Sequence, residues 1–172
     1  MKQRSWIHPM LGALAGWSAL ILLAFIVLGL LWTPLRPSLS GTLEQDYSIA
    51  LDGAAQNIQF SSWISFIAIS TIASLVFTWL VIKRFPLRVG VLVWLIATLF
   101  LAGVSMVSAS DVLAQFFLRD TQPGEHLDYV PPLRLGAGAL VGPWVASLVY
   151  FLFMFVRVED DPAEELLMTS AN

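Results

Sequence analysis

"SWISFIAISTIASLVFTWLVIKRFPLRVGVLVWLIATLFLAGVSMVSAS", residues 62–110, holds two long uncharged runs joined by one short basic link. Each run, 62–82 and 89–110, supplies the ~20 mostly apolar residues that a membrane-crossing helix needs. The link is Lys83-Arg84-Phe85-Pro86-Leu87-Arg88. Pro86 cannot donate to a helical ladder and clashes with the preceding turn, so it ends one helix before the next begins. The stretch therefore reads as a helical hairpin in a bilayer. Runs this long and continuous exclude the strands of a membrane barrel, which alternate with period two.

Outward from this hairpin lie two more apolar runs, 11–32 and 135–156. The composition agrees: 58% of the 172 residues are hydrophobic and 12% are charged, against ~25% charged in a soluble domain. The fold class expected is all-α: one integral membrane four-helix bundle, residues 1–172, built as two helical hairpins. Lys2 and Arg4 precede the first run, but the run is longer than a signal-peptide core and no A-x-A site follows it, so a retained helix is expected. Lysine and arginine near helix ends set orientation. Lys2, Arg4, Lys83, Arg84, Arg88 and Arg157 fall on one side, and Arg36, Arg119 and Arg134 on the other. That bias places both termini and the link in the cytoplasm. Trp32 and Trp63 are then expected at the outer interface and Trp79 near the inner one.

Two longer loops, 33–61 and 111–134, face outward in this scheme, and a polar tail, 157–172, faces inward. In the first loop "TPLRPSLSG" makes an extended exit, and Asp52-Gly53 is a turn signal. Residues 44–58 also fit a short amphipathic surface helix. In the second loop "DVLAQFFLRD" continues the third helix, and "TQPGEHLDYVPP" is a turn followed by an extended arm. The two loops carry seven acids, Glu44, Asp46, Asp52, Asp111, Asp120, Glu125 and Asp128, against three arginines. An acidic outer face, with Glu44, Asp46, Asp52 and Asp128 as its markers, would attract a basic extracytoplasmic domain.

Catalytic and transport chemistry finds few residues here. The four runs contain no ionisable group between their ends, and such groups mark ion and proton paths. Asp111 and Arg134 sit at run boundaries and are expected to pair with each other. The chain has no cysteine, which removes thiol redox chemistry, thiolate zinc sites and iron–sulfur ligation. His8 and His126 lie in the flanks, too shallow for a membrane haem. Glu125, His126 and Asp128 lack a known ligand spacing, and a solvated loop is the plainer account. No catalytic residue, metal or cofactor site, and no nucleic-acid partner, is expected.

Packing residues are more informative. Lipid tails are as apolar as leucine, so helices associate in a bilayer by close contact, which small residues permit. Gly138, Gly142 and Ala146 are spaced by four along the fourth run. Pro143 interrupts its hydrogen bonds and is expected to bend it. Gly12 and Gly16 form a similar stripe in the first run. The two stripes lie in opposite leaflets and cannot meet, so each needs another partner, inside the bundle or on a neighbouring protein.

The pieces "LWTPLRP", "LDGAAQNIQF" and "RLGAGALVGPWVASLVYFLF" make the chain resemble a group of small actinobacterial four-helix membrane proteins that share a domain of unknown function. The resemblance implies a plasma-membrane protein of a high-GC Gram-positive bacterium and brings no catalytic residues with it. In size and shape the chain is also similar to accessory subunits of the actinobacterial respiratory supercomplex. The function expected first is a non-catalytic accessory or scaffold subunit of a larger plasma-membrane complex, respiratory or cell-envelope. The bilayer, integral membrane proteins and a basic extracytoplasmic domain are its expected partners. The alternative is a small carrier or lipid-handling protein whose path is lined by Ser65, Ser70, Ser74, Ser105 and Ser108. An enzyme acting through His126 at the outer interface ranks third.

Overall fold

The computed structural model describes residues 7–43, 49–51, 56–118 and 126–158. Among these, four helices dominate: α1 (Ile7–Trp32), α2 (Gln56–Arg84), α3 (Val89–Leu118) and α4 (Val141–Val158). All four are long and apolar enough to cross a membrane, the fourth together with the 3-10 turn Gly136–Leu140 that leads into it. A second 3-10 turn, Thr33–Leu35, follows α1. These helices make a multi-pass membrane protein. Two ends of the bundle are named here for what lies there: the link end, at 83–88, and the loop end, at Trp32 and Asp111.

Of the consecutive helices, α3 and α4 pack together while α1 and α2 do not form the close pair expected of a hairpin. α1 lies along α3, and α4 packs against both α2 and α3, while α2 and α3 meet little beyond their link. α1 and α3 run parallel in a steady register. Ser18 meets Thr98, Gly29 meets Met106 and Thr33 meets Ser110. The reason sits at Gly29, where a Cβ would run into the backbone carbonyl of Met106. A bare backbone there lets the two helices approach as closely as small-residue packing allows. The core that results is apolar, with Ile21, Phe25, Phe66, Leu95, Leu99 and Met106 at or below 1% exposure.

The loops add three strands that the sequence pattern did not reveal: β1 (Leu39–Leu43), β2 (Ile49–Leu51) and β3 (His126–Tyr129). β1 is central and antiparallel to both neighbours, with Gly41 opposite Leu51 on one side and Leu127 on the other. The two long loops are thereby joined by main-chain hydrogen bonds. Ile49–Leu51 lies in a strand and α2 begins at Gln56, so the amphipathic helix expected over 44–58 does not form there. Residues 44–48 and 52–55 lie outside the described residues. The extended arm expected after residue 121 corresponds to β3, and α3 continues through Asp111 to Leu118 as expected.

Candidate functional site

The loop end is closed by one buried arginine. Thr33-Pro34-Leu35 turns the chain sharply after α1, and the turn aims Arg36 back into the bundle. Its side chain has 0% exposure, and Nη1 donates to Asp111 Oδ1 at 2.7 Å and to Ser110 Oγ at 3.0 Å. Nη2 donates to the Pro131 carbonyl at 2.6 Å. The guanidinium carbon lies 5.1 Å from the centre of the Trp32 ring, a cation–π distance. Thr33 Oγ1 donates back to Gly29 O at 2.9 Å and lies 3.0 Å from Ser110 Oγ. One side chain thus ties the end of α1, the last third of α3 and the arm before α4. A charge-assisted network of this kind is strong only while every member is satisfied. Here the Arg36 Nε finds no partner among the described residues.

Asp111 therefore pairs with Arg36, not with Arg134, which is exposed. The sequence offered three loop arginines and no means of choosing among them. Arg36 is nearest to a proline turn, and that turn is what directs it inward.

The link end is held by Tyr150. Its hydroxyl accepts from the Arg88 N–H at 2.6 Å and donates to the Arg88 carbonyl at 2.9 Å. α4 is thereby pinned to the start of α3, just after Pro86 ends the link's helical ladder.

Between these ends the expected stripe of α4 divides from that of α1. Gly138, Gly142 and Ala146 are buried. A Cβ on Gly138 would meet the Trp63 indole at 3.1 Å, and one on Gly142 would meet Ser74 Oγ at 3.1 Å and the Leu99 carbonyl at 3.3 Å. This stripe is the α4 contact with α2 and α3. Pro143 is buried in the first turn of α4, where its missing N–H costs little. Gly12 and Gly16 have no atom within 4 Å of an added Cβ, so the α1 stripe faces no part of the described chain. Glu44, Asp46 and Asp52 lie outside the described residues, and Asp128 stands in β3 opposite Ser40.

The serines proposed for a carrier path do not share a face. Ser70 and Ser74 are buried between helices, Ser65 is the acceptor for Trp32 Nε1 at 3.1 Å, and Ser105 and Ser108 lie toward the outside of the bundle. Ser62, Ser74 and Thr78 hydroxyls have no partner among the described residues. Each lies in a helix, where rotation about χ1 brings it to a carbonyl one turn back. Among the described residues no group of His, Asp and Glu side chains is placed to hold a metal ion.

Two outer surfaces remain. One is a cleft of about 610 Å³ between α1 and α2, walled wholly by apolar side chains. The other is a ridge formed by Leu140 of the 3-10 turn with Trp144, Leu148, Phe151 and Phe155 of α4, all exposed. Comparison with family models, curated proteins and solved structures gives no match to this chain.

Proposed function

We propose that this protein is a non-catalytic accessory or scaffold subunit of a larger plasma-membrane complex, respiratory or cell-envelope, and that the α4 ridge is its contact with that complex. One observation carries the reading. Trp144 is 73% exposed. Gly142 packs on Leu99, and Leu99 lies about 16 Å along α3 from Arg88 and about 18 Å from Asp111 at ~1.5 Å per residue. Those two charged positions bracket a hydrocarbon core of ~30 Å. Trp144 thus stands within about 3 Å of the bilayer midplane. Indoles favour the membrane–water interfaces, and a donor N–H surrounded by hydrocarbon is costly. A neighbouring protein that covers this ridge and accepts the N–H bond removes both costs.

The rest of the molecule supports a structural role. The Arg36 network and the Tyr150 bonds close the two ends of the bundle. The three strands that join the two long loops offer a hydrogen-bonded surface beside the membrane. The cytoplasmic placement of both termini follows from the basic link and completes the proposal.

The test is a gentle-detergent pulldown of tagged protein from native membranes, with mass spectrometry and a haem absorbance spectrum. Stoichiometric partners are expected with the wild type and absent with Trp144→Ala/Leu148→Ala. The spectrum says whether the host is respiratory. Wild-type protein that emerges monodisperse and alone, or a double variant that keeps every partner, refutes the reading.

A further inference from the structure

The chain enters α4 through a 3-10 turn, not through an α-helix. Gly136–Leu140 is five residues long, and 3-10 runs beyond three or four residues are uncommon. Its pairing is from residue i to residue i+3: the Gly138 N–H donates to the Leu135 carbonyl at 2.8 Å, and the Val141 N–H to the Gly138 carbonyl. Pro143 supplies the reason. An α register would pair the Ala139 carbonyl with the N–H of residue 143, and proline has none. A 3-10 register pairs it with Gly142, which has one. The turn lies on the loop-end side of Gly142, which packs on Leu99 near mid-height of the bundle. An orphaned carbonyl in hydrocarbon finds no water.

Two contacts decide between the registers, one at each end of the turn. At the far end Arg36 grips the incoming arm, its Nη2 donating to the Pro131 carbonyl at 2.6 Å. At the near end stands Ser74, fully buried, its Oγ 3.1 Å from the point where a Gly142 Cβ would be. That hydroxyl has no partner among the described residues. It is a donor beside the residue before Pro143, placed to take the carbonyl that an α register would orphan.

We propose that residues 136–142 form a two-state element. It is a 3-10 turn while Arg36 holds Pro131, and an α-helix whose Ala139 carbonyl accepts from Ser74 when that hold is released. α4 itself is anchored, by buried Gly142 and Ala146 and by Tyr150 on the Arg88 backbone. The shortening therefore falls on the arm. Five residues at ~1.5 Å instead of ~2.0 Å each draw Leu135 about 2.5 Å toward mid-height. Gly136, at φ +48°, joins the arm to the turn in a conformation that glycine adopts freely, so the junction can follow. The arm leads back to β3, which pairs with β1. An event on the outer strands that loosens Arg36 is thereby transmitted to the seam between α2 and α4. This inference goes beyond the subunit reading and does not rest on it.

The chain has no cysteine, so spin labels can be attached at Arg134→Cys and Phe151→Cys, both exposed positions, in full-length protein in mild detergent. Pulsed double electron–electron resonance should give one distance for the otherwise wild-type chain. Pro143→Ala restores the missing N–H and should shorten that distance by about 2.5 Å. Arg36→Met should split it into the resting distance and a shorter one. Adding Ser74→Ala to Arg36→Met should return it to the resting distance. A second label pair, Ile72→Cys with Phe151→Cys, reports α4 against α2 and should stay constant in every variant. Pro143→Ala at the wild-type distance overturns the proposal. So does a single wild-type distance in Arg36→Met, or a shorter population that survives Ser74→Ala. A change in the second pair also overturns it, because α4 has then moved and not the arm.

Discussion

Removing the Asp111 carboxylate should be the most damaging exposed-end substitution in this protein. Asp111 is 22% exposed at its side chain, so its own loss looks mild. The harm falls on Arg36, which has 0% side-chain exposure and would keep its charge with no counter-charge. Stripping one partner from a buried pair costs ~3–5 kcal/mol, because an uncompensated charge remains. Arg36→Met removes the charge and the bonds to Ser110, Asp111 and the Pro131 carbonyl, and leaves Asp111 able to reach water. Its expected cost is ~1–3 kcal/mol. The double variant Arg36→Met/Asp111→Ala has neither charge. It should be no less stable than Asp111→Ala alone, a coupling of ~1–3 kcal/mol in a double-mutant cycle. The assay is reversible unfolding in mixed micelles with rising dodecyl sulfate, followed by tryptophan emission. Trp32, 5.1 Å from the guanidinium, reports the site directly. The reasoning fails if Asp111→Ala costs under ~1 kcal/mol, or if the two substitutions add.

The same assay separates the glycines. Gly29→Ala drives a methyl into the Met106 carbonyl and should cost ~1–3 kcal/mol as overpacking. Gly16→Ala meets no neighbour and should be neutral or stabilise by ~0.5–1 kcal/mol through helix propensity. Equal effects at the two positions would remove the claimed close approach of α1 and α3. Tyr150→Phe deletes both bonds to the Arg88 backbone and should cost ~1–2 kcal/mol. It should also speed hydrogen exchange at the Arg88 amide, and unchanged exchange would show that the hydroxyl does not hold the link.

Periodicity and run length made the four spans legible, because bilayer thickness fixes helix length almost independently of tertiary structure. The α4 stripe was legible for a similar reason: spacing by four puts small residues on one face. What that face meets was not, since it depends on the ring of helix neighbours. Gly12 and Gly16 obey the same spacing and meet nothing, while Gly29, isolated in sequence, makes the closest approach. One glycine suffices where a single backbone approach sets the spacing of two parallel helices, and a rule that looks for repeats passes over it. Arg36 was equally hidden. Counting loop charges treats it as one of three outer bases, and only the proline turn reverses its direction. The strands escaped notice because they are short, and β1 pairs with β3 across some eighty residues of chain.

These features together explain how one molecule has both a firm bundle and an open side. Gly29 draws α1 onto α3 along a parallel register, and that choice takes α1 away from α2. α4 completes the rest of the ring by laying its glycines on α2 and α3. The gap left between α1 and α2 is therefore a consequence of good packing elsewhere, not of a weak sequence at the gap itself. At the loop end the gap is closed by polar contacts: an indole on a serine, and beside it the Arg36 network. At the link end the Trp17 and Phe85 rings close the gap, and the first exposed charges beyond them are basic.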